Sequence, residues 1–221
     1  ALRRAAHARN LERRERLALM ELQKQNPPMA QGYDLYKTLE GSGFLFDHEE
    51  RVAKIRGLRE DIQKAFAAGE NQVDPHAKRI LVTGCPIGGV LEKTIRTIEA
   101  HGGTVVCFEN CSGIKAAYQM VDEEAEDILA AIAERYLGIG CAVMTPNTVR
   151  MELLKKLVSE YAADGVVEID LQACTPYMIE SRTVRKEMEK LGLRCLTLET
   201  DYSTGDAGQL STRLEAFLEM L

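Results

Sequence analysis

From Arg79 to the C-terminus, short β-branched runs alternate with longer stretches of helical periodicity, and this alternation restricts the fold more than any other feature. The runs ILV, VVCF, VVEI and CLTL are flanked by Gly or Asp, as strands buried on both faces of a parallel sheet are. Strands alternating with helices in sequence place the connecting helices over both faces of such a sheet. The pattern predicts strands at about 79–84, 104–109, 165–171 and 194–199, and helices at about 89–101, 122–136, 146–162, 177–191 and 207–221. Residues 138–144, GIGCAVM, read either as a further short strand or as a buried loop. The expected fold is α/β: a doubly wound parallel sheet of four or five strands with helices N-terminal to it.

The chain divides near residue 75, with residues 1–75 a helical segment and 76–221 the α/β domain. Residues 1 to about 26 are rich in helix formers and stop at Asn26-Pro27-Pro28. Gly32 to Gly43 reads as turn-rich, and a second helix runs from about Asp47 to Ala68, with Asp47 as N-cap and Glu50 in the capping-box position. The first helix is already in mid-pattern at Ala1-Leu2-Arg3-Arg4, with no Ser, Thr, Asp or Asn to cap it, so a preceding segment is expected. Arg3, Arg4, Arg9, Arg13, Arg14 and Arg16 form a basic run. Its ordinary meaning is a solvated helix face; its sharper meaning is a dock for an acidic partner or domain.

Composition sets the outer bounds. With 45% hydrophobic and 28% charged residues, a core can form without covalent staples. A net charge of -6 argues against a nucleic-acid surface. No apolar stretch approaches the roughly 20 residues that span a bilayer, and no signal peptide opens the chain, so a cytoplasmic protein without membrane contact is expected. In that reducing compartment the six cysteines are thiols or metal ligands rather than a disulfide framework.

Four of those cysteines, Cys85, Cys111, Cys141 and Cys174, lie at the ends of hydrophobic runs. The carboxyl ends of the strands in an open sheet line one crevice, so residues distant in sequence converge there, and four thiols in one crevice point to a metal site. Their spacings match no zinc-finger or ferredoxin pattern, which leaves buried structural thiols as the alternative. Cys107 and Cys195 lie inside strands and read as small buried hydrophobes.

The first strand runs into Thr83-Gly84-Cys85-Pro86-Ile87-Gly88-Gly89, a Gly-rich turn able to cradle a phosphate. It is neither G-x-G-x-x-G nor a Walker A sequence, so any ATP hydrolysis is expected from another polypeptide. Backbone N–H groups in such turns lower thiol pKa values and hydrogen-bond cluster sulfides. Cys85, Cys111 before Ser112-Gly113, and Cys174 before Thr175-Pro176 each have that setting. Polar residues gather at the same edge, among them Glu109, Asn110, Asn147, Gln172, Tyr177 and Glu180. Asn147 also reads as a plain helix cap, and Glu180, in the first turn of a helix, either complements the helix dipole or serves as a proton donor. Glu180 is the candidate catalytic residue. His7, His48, His76 and His101 fall away from this edge, so histidine general-base chemistry is not expected.

The series ILVTGCPIGG, FENCSGIK, AERYLGIGCAVMTPN, LQACTPYMIES and LETDYSTGDAGQLSTRLEAFLEML resembles the C-terminal half of the 2-hydroxyacyl-CoA dehydratase D-component and benzoyl-CoA reductase superfamily. The double-cubane-cluster-containing anaerobic reductases are the most similar branch, and the resemblance covers nearly the whole chain. It implies an oxygen-sensitive iron–sulfur protein that accepts electrons from a separate ATP-hydrolysing activator protein carrying its own cluster. It further implies that Cys174, in LQACTPY, matches a ligand of the 4Fe-4S cluster of dehydratase subunits. The double-cubane branch calls for six thiolates, of which Cys85, Cys111 and Cys141 would supply three by their strand-end positions. The family's N-terminal α/β domain is absent, so a missing N-terminal half or companion subunit is an expected partner, together with dimer formation. The function expected is an electron-accepting reductase subunit or fragment acting on a small or CoA-linked substrate. The alternatives are 2-hydroxyacyl-CoA dehydration through a ketyl radical, and a metal-free interaction domain.

Overall fold

The structure, a computed structural model, describes residues 1–221. Helix α1 (Leu2–Glu21) has no side-chain cap and tightens into a 3-10 turn at Leu22–Lys24 before the prolines. Gly32–Ser42, expected as turns, is a helix, α2: Tyr33, Leu35, Tyr36 and Leu39 form a buried face at helical spacing. The glycines at both ends disguise it. Helix α3 (His48–Ala67) begins where its cap predicts, with the Asp47 side chain accepting the Glu50 N–H at 2.8 Å.

The remainder follows the order β1 (Lys78–Gly84), α4 (Ile95–Ala100), β2 (Gly103–Glu109), α5 (Ile114–Ala117), α6 (Ile128–Leu137), α7 (Thr148–Glu160), β3 (Gly165–Leu171), α8 (Thr175–Lys190), β4 (Arg194–Thr200) and α9 (Ala207–Glu219). The four strands pair in parallel in the order β2-β1-β3-β4. Helices α4 and α9 pack together, as do α7 and α8. A doubly wound α/β sheet results.

Three expected elements are trimmed. The helix expected at 89–101 starts only at Ile95, after a 3-10 turn at Gly88–Val90. Adjacent glycines make a poor helix start, and both are pinned: a Cβ on Gly88 would strike the Glu40 carboxylate, and one on Gly89 the Tyr202 ring. The helix expected at 122–136 begins at Ile128 because Asp127 caps it, accepting from Leu129 N (2.9 Å) and Ala130 N (3.2 Å). The residues before it are tied to α1, since Arg3 donates to the Glu123 and Ala125 carbonyls at 2.7 and 2.6 Å. Residues 138–144 form a turn rather than a fifth strand; a Cβ on Gly140 would press into Arg150.

Burial follows the layers. Leu19, Met20, Tyr36, Leu39 and Ile55 of the N-terminal helices belong to the same core cluster as Ile80, Val105, Val166 and Leu198 of the strands. Arg79 ties the two together, donating to the carbonyls of Gln23 (2.8 Å), Gln25 (3.0 Å) and Tyr161 (2.8 Å). The N-terminal segment also covers the edge strand β2: Gln23 Nε2 donates to the Val105 carbonyl at 3.2 Å, and Gly32 fits there because any Cβ would meet that carbonyl. At the opposite edge, Arg213 of α9 donates to the Thr197 carbonyl of β4 at 2.7 Å. The basic run is largely a solvated face: Arg3, Arg4, Arg9 and Arg14 are exposed and Arg16 is half-buried, while Arg13 alone is buried, beside the buried Asn10 and Glu12.

The strand order creates one switch point. The connection through α4 carries the chain from β1 to β2 on one side, whereas α8 carries it from β3 to β4 on the other. The strand order reverses between the carboxyl ends of β1 and β3, the place where open α/β sheets bind ligands.

Candidate functional site

Cys85 and Cys174 meet at that switch point. Gly84 ends β1 with φ +107°, and a Cβ there would press into the Ile169 carbonyl, so only glycine brings the end of β1 this close to β3. The next residue is then held on β3: Cys85 N donates to Ile169 O at 2.9 Å, and Leu171 N lies 3.4 Å from the Cys85 sulfur. Burial, reinforced by the adjacent Cys174 thiol, pushes the Cys85 thiol up to about 12, against the Leu171 N–H. Cys174 occupies the N-cap of α8, following Ala173, whose φ of +67° is rare for a residue with a side chain.

The other two predicted thiols gather around Tyr177 in the first turn of α8. Burial raises the Tyr177 hydroxyl pKa well above its ordinary value, and the neighbouring Cys111 and Cys141 add to the effect. Lys115 donates to the Tyr177 oxygen at 2.8 Å. Cys111 is exposed and Cys141 half-buried. Asn147 Nδ2 secures the Cys141 turn by donating to its carbonyl at 2.9 Å and to Glu180 Oε1 at 2.7 Å. Cys85 and Cys174 therefore adjoin at the carboxyl ends of β1 and β3, while Cys111 and Cys141 both lie near Tyr177 in the first turn of α8. Cys107 is fully buried in β2; Cys195, on an edge strand, is only partly covered.

Beneath the thiols lies a buried ionic network that the sequence reading missed. Arg150 of α7 is fully buried; its guanidinium meets Glu109 Oε2 at 3.2 Å, Thr83 Oγ1 at 2.8 Å, Glu168 Oε1 at 3.6 Å and Glu180 Oε2. Burial opposes its charge, but Glu109, Glu180 and Glu168 outweigh that and hold its proton more tightly than usual. Lys115 adds a second cation, 3.3 Å from Glu109 Oε1. Burial, then the charge of Asp170, raises the Glu168 carboxyl to about 8; burial raises Asp170 to about 6, with Glu199 beside it contributing. Glu180 has both oxygens occupied by donors. One signal was available: Glu168 and Asp170 alternate within an otherwise apolar strand, placing two carboxyls on one sheet face.

The thiols suit an iron–sulfur cluster in chemistry, and an N–H directed at the Cys85 sulfur is the hydrogen bond such ligands receive. Their number at any one point falls short. No three His, Cys, Asp or Glu side chains converge closely enough to hold a metal ion. No helix is long and apolar enough to cross a membrane.

The fold and site together define an open parallel α/β protein with Cys85 and Cys174 at its switch point, over a buried ionic network. Similarity to known proteins specifies the class further. The chain belongs to the family described as 2-hydroxyglutaryl-CoA dehydratase, D-component, whose model matches residues 1–221. It is 43% identical over 222 residues to YjiM of Escherichia coli (strain K12), named as a candidate dehydratase subunit, covering 100% of this chain and 57% of that protein. It is 23% identical over 184 residues to the (R)-phenyllactyl-CoA dehydratase beta subunit of Clostridium sporogenes, covering 81% of this chain and 46% of the relative. A subunit of the benzoyl-CoA reductase of Thauera aromatica is 24% identical over 175 residues, covering 74% and 40%. The chain thus spans about half the length of these relatives.

Proposed function

We propose that this chain is the C-terminal, cluster-bearing part of a cytoplasmic iron–sulfur enzyme subunit, which receives low-potential electrons from a separate ATP-hydrolysing activator and reduces a small or CoA-linked substrate. The observation that carries the reading is the meeting of Cys85 and Cys174 at the switch point, with Cys111 and Cys141 near Tyr177. A bound cluster would supply one-electron chemistry; the residues of this chain would supply thiolates and hold them in place. Leu171 N–H steadies Cys85, Lys115 fixes the Tyr177 hydroxyl, and Asn147 fixes the Cys141 turn. Glu180, held by Arg150 and Asn147, acts in this reading as a positioning residue rather than a free proton donor. The remaining ligands come from a preceding half of the polypeptide or a companion subunit, within a dimeric assembly.

A second reading, 2-hydroxyacyl-CoA dehydration, is favoured by the names of the dehydratase relatives. The two differ in the thiols they require. Iron and sulfide per chain should be measured in the protein purified anaerobically from its native genetic context, and in variants with single Cys→Ser changes. Loss of iron in Cys174→Ser is expected in both readings, and loss in the Cys85, Cys111 and Cys141 variants in the reductase reading alone. Absence of iron from the unsubstituted protein after anaerobic reconstitution would overturn both.

A further inference from the structure

The arginines of α1 do not all have carboxylates to answer them. Arg9, Arg13 and Arg16 meet Lys115 and Arg135 around a cavity of about 390 Å³ that reaches the exposed Cys111. Glu12 and Glu40 are the only carboxylates lining it. Glu12 is already shared among Arg9 (2.7 Å), Arg16 (3.1 Å) and Arg51 (3.2 Å), and Lys115 is engaged by Glu109. Arg13 and Arg135 are left over. Arg13, 7% exposed, donates only to Asn10 Oδ1 at 2.8 Å; Arg135, 6% exposed, donates only to the carbonyls of Gln119 and Ala116. Burial, then the charges of Arg135 and Arg9, lower the pKa of Arg13 against the smaller opposing effect of Tyr136 and Glu12.

Burying one guanidinium without a counter-ion is costly, and burying two that face each other is more so. A protein of net charge -6 has carboxylates in surplus, yet neither Arg13 nor Arg135 has a carboxylate within ion-pair distance; Glu12, near Arg13, is held by three other arginines. We infer that the cavity is an anion site for a phosphate group, bound by Arg13 and Arg135 with Arg9 at its rim. Guanidinium forks match phosphate oxygens in geometry, and a dianion balances the two uncompensated cations. The free N–H groups of Arg13 and Arg135 make no other hydrogen bond within the chain. The site stands independently of the cluster reading, since none of its binding groups is a thiol.

The test is isothermal titration calorimetry at constant ionic strength with inorganic phosphate, pyrophosphate and coenzyme A, using succinate as a carboxylate control, on the full-length protein. Phosphate should bind, succinate at least ten-fold more weakly, and Arg13→Gln and Arg135→Gln should each weaken phosphate at least ten-fold, while the remote Arg56→Gln leaves it unchanged. Coenzyme A binding much more tightly than phosphate would place the group on a larger ligand; equal affinity would assign the site to a free ion. Should either Gln variant fail to fold, Arg13→Lys keeps the charge, loses the fork, and should weaken phosphate several-fold. Binding of phosphate no tighter than succinate, or unchanged by Arg13→Lys and by Arg135→Gln, overturns the proposal.

Discussion

Replacing Glu168 with Gln removes an ionisation that the fold resists. The carboxyl lies on a central strand, fully buried, with both oxygens lacking a hydrogen-bond partner and Arg150 3.6 Å away. Its pKa is near 4.5 when exposed and about 8 in the folded protein, with burial the dominant cause. Between those values the folded state keeps a proton that the unfolded chain has released. The folded state binds more protons there, so stability falls as pH rises. At about 1.4 kcal/mol per pH unit, the full penalty reaches roughly 5 kcal/mol, a large part of the roughly 5–15 kcal/mol that holds a domain folded. Below about pH 4.5 the penalty vanishes. Glu168→Gln should therefore match the parent within about 1 kcal/mol at pH 5 and exceed it by roughly 3–5 kcal/mol at pH 8. Urea unfolding at pH 5, 6.5 and 8 measures the difference. A difference that stays constant across pH, or a variant weaker than the parent at pH 8, would mean that Glu168 is ionised and paired with Arg150.

Three further outcomes follow from the same geometry. Arg150→Ala should cost about 3–5 kcal/mol at pH 7 by leaving Glu109 and Glu180 buried without their main cation; a loss under about 1 kcal/mol in urea unfolding contradicts that. Gly84→Ala should lower stability by at least about 2 kcal/mol, seen as a fall of several degrees in melting temperature, because its φ of +107° and the Ile169 carbonyl exclude a side chain. With Ellman's reagent under native conditions Cys111 should react first, and Cys85 and Cys107 only as the protein unfolds, as read by mapping the labelled peptides. Prompt labelling of Cys107 would show that β2 opens in the native state.

The sheet was legible because its strands carry their own signal: ILV, VVCF, VVEI and CLTL are apolar and short, and all four fall within a residue or two of the observed β1–β4. The capping of α3 by Asp47 was legible for the same reason, being local. What stayed hidden depends on distant partners. Gly32 and the residues after it look like a turn until Val105 is known to lie against them. The late start of α4 depends on Glu40 and Tyr202 packing on Gly88 and Gly89. At the site, the position of Cys85 and Cys174 next to strand ends was legible, whereas their meeting, and the role of Arg150 in joining three carboxylates from β2, β3 and α8, require the tertiary arrangement.

On each outer strand of the sheet one carbonyl is taken by a side chain of the same molecule, Val105 on β2 by Gln23 and Thr197 on β4 by Arg213. A sheet with free rails can lengthen by recruiting strands from other molecules, the route to fibrous aggregates. Here an amide on one edge and a guanidinium on the other each break the row of carbonyls that an added strand would need. An added strand at either edge would have to displace the side chain there before it could pair in register.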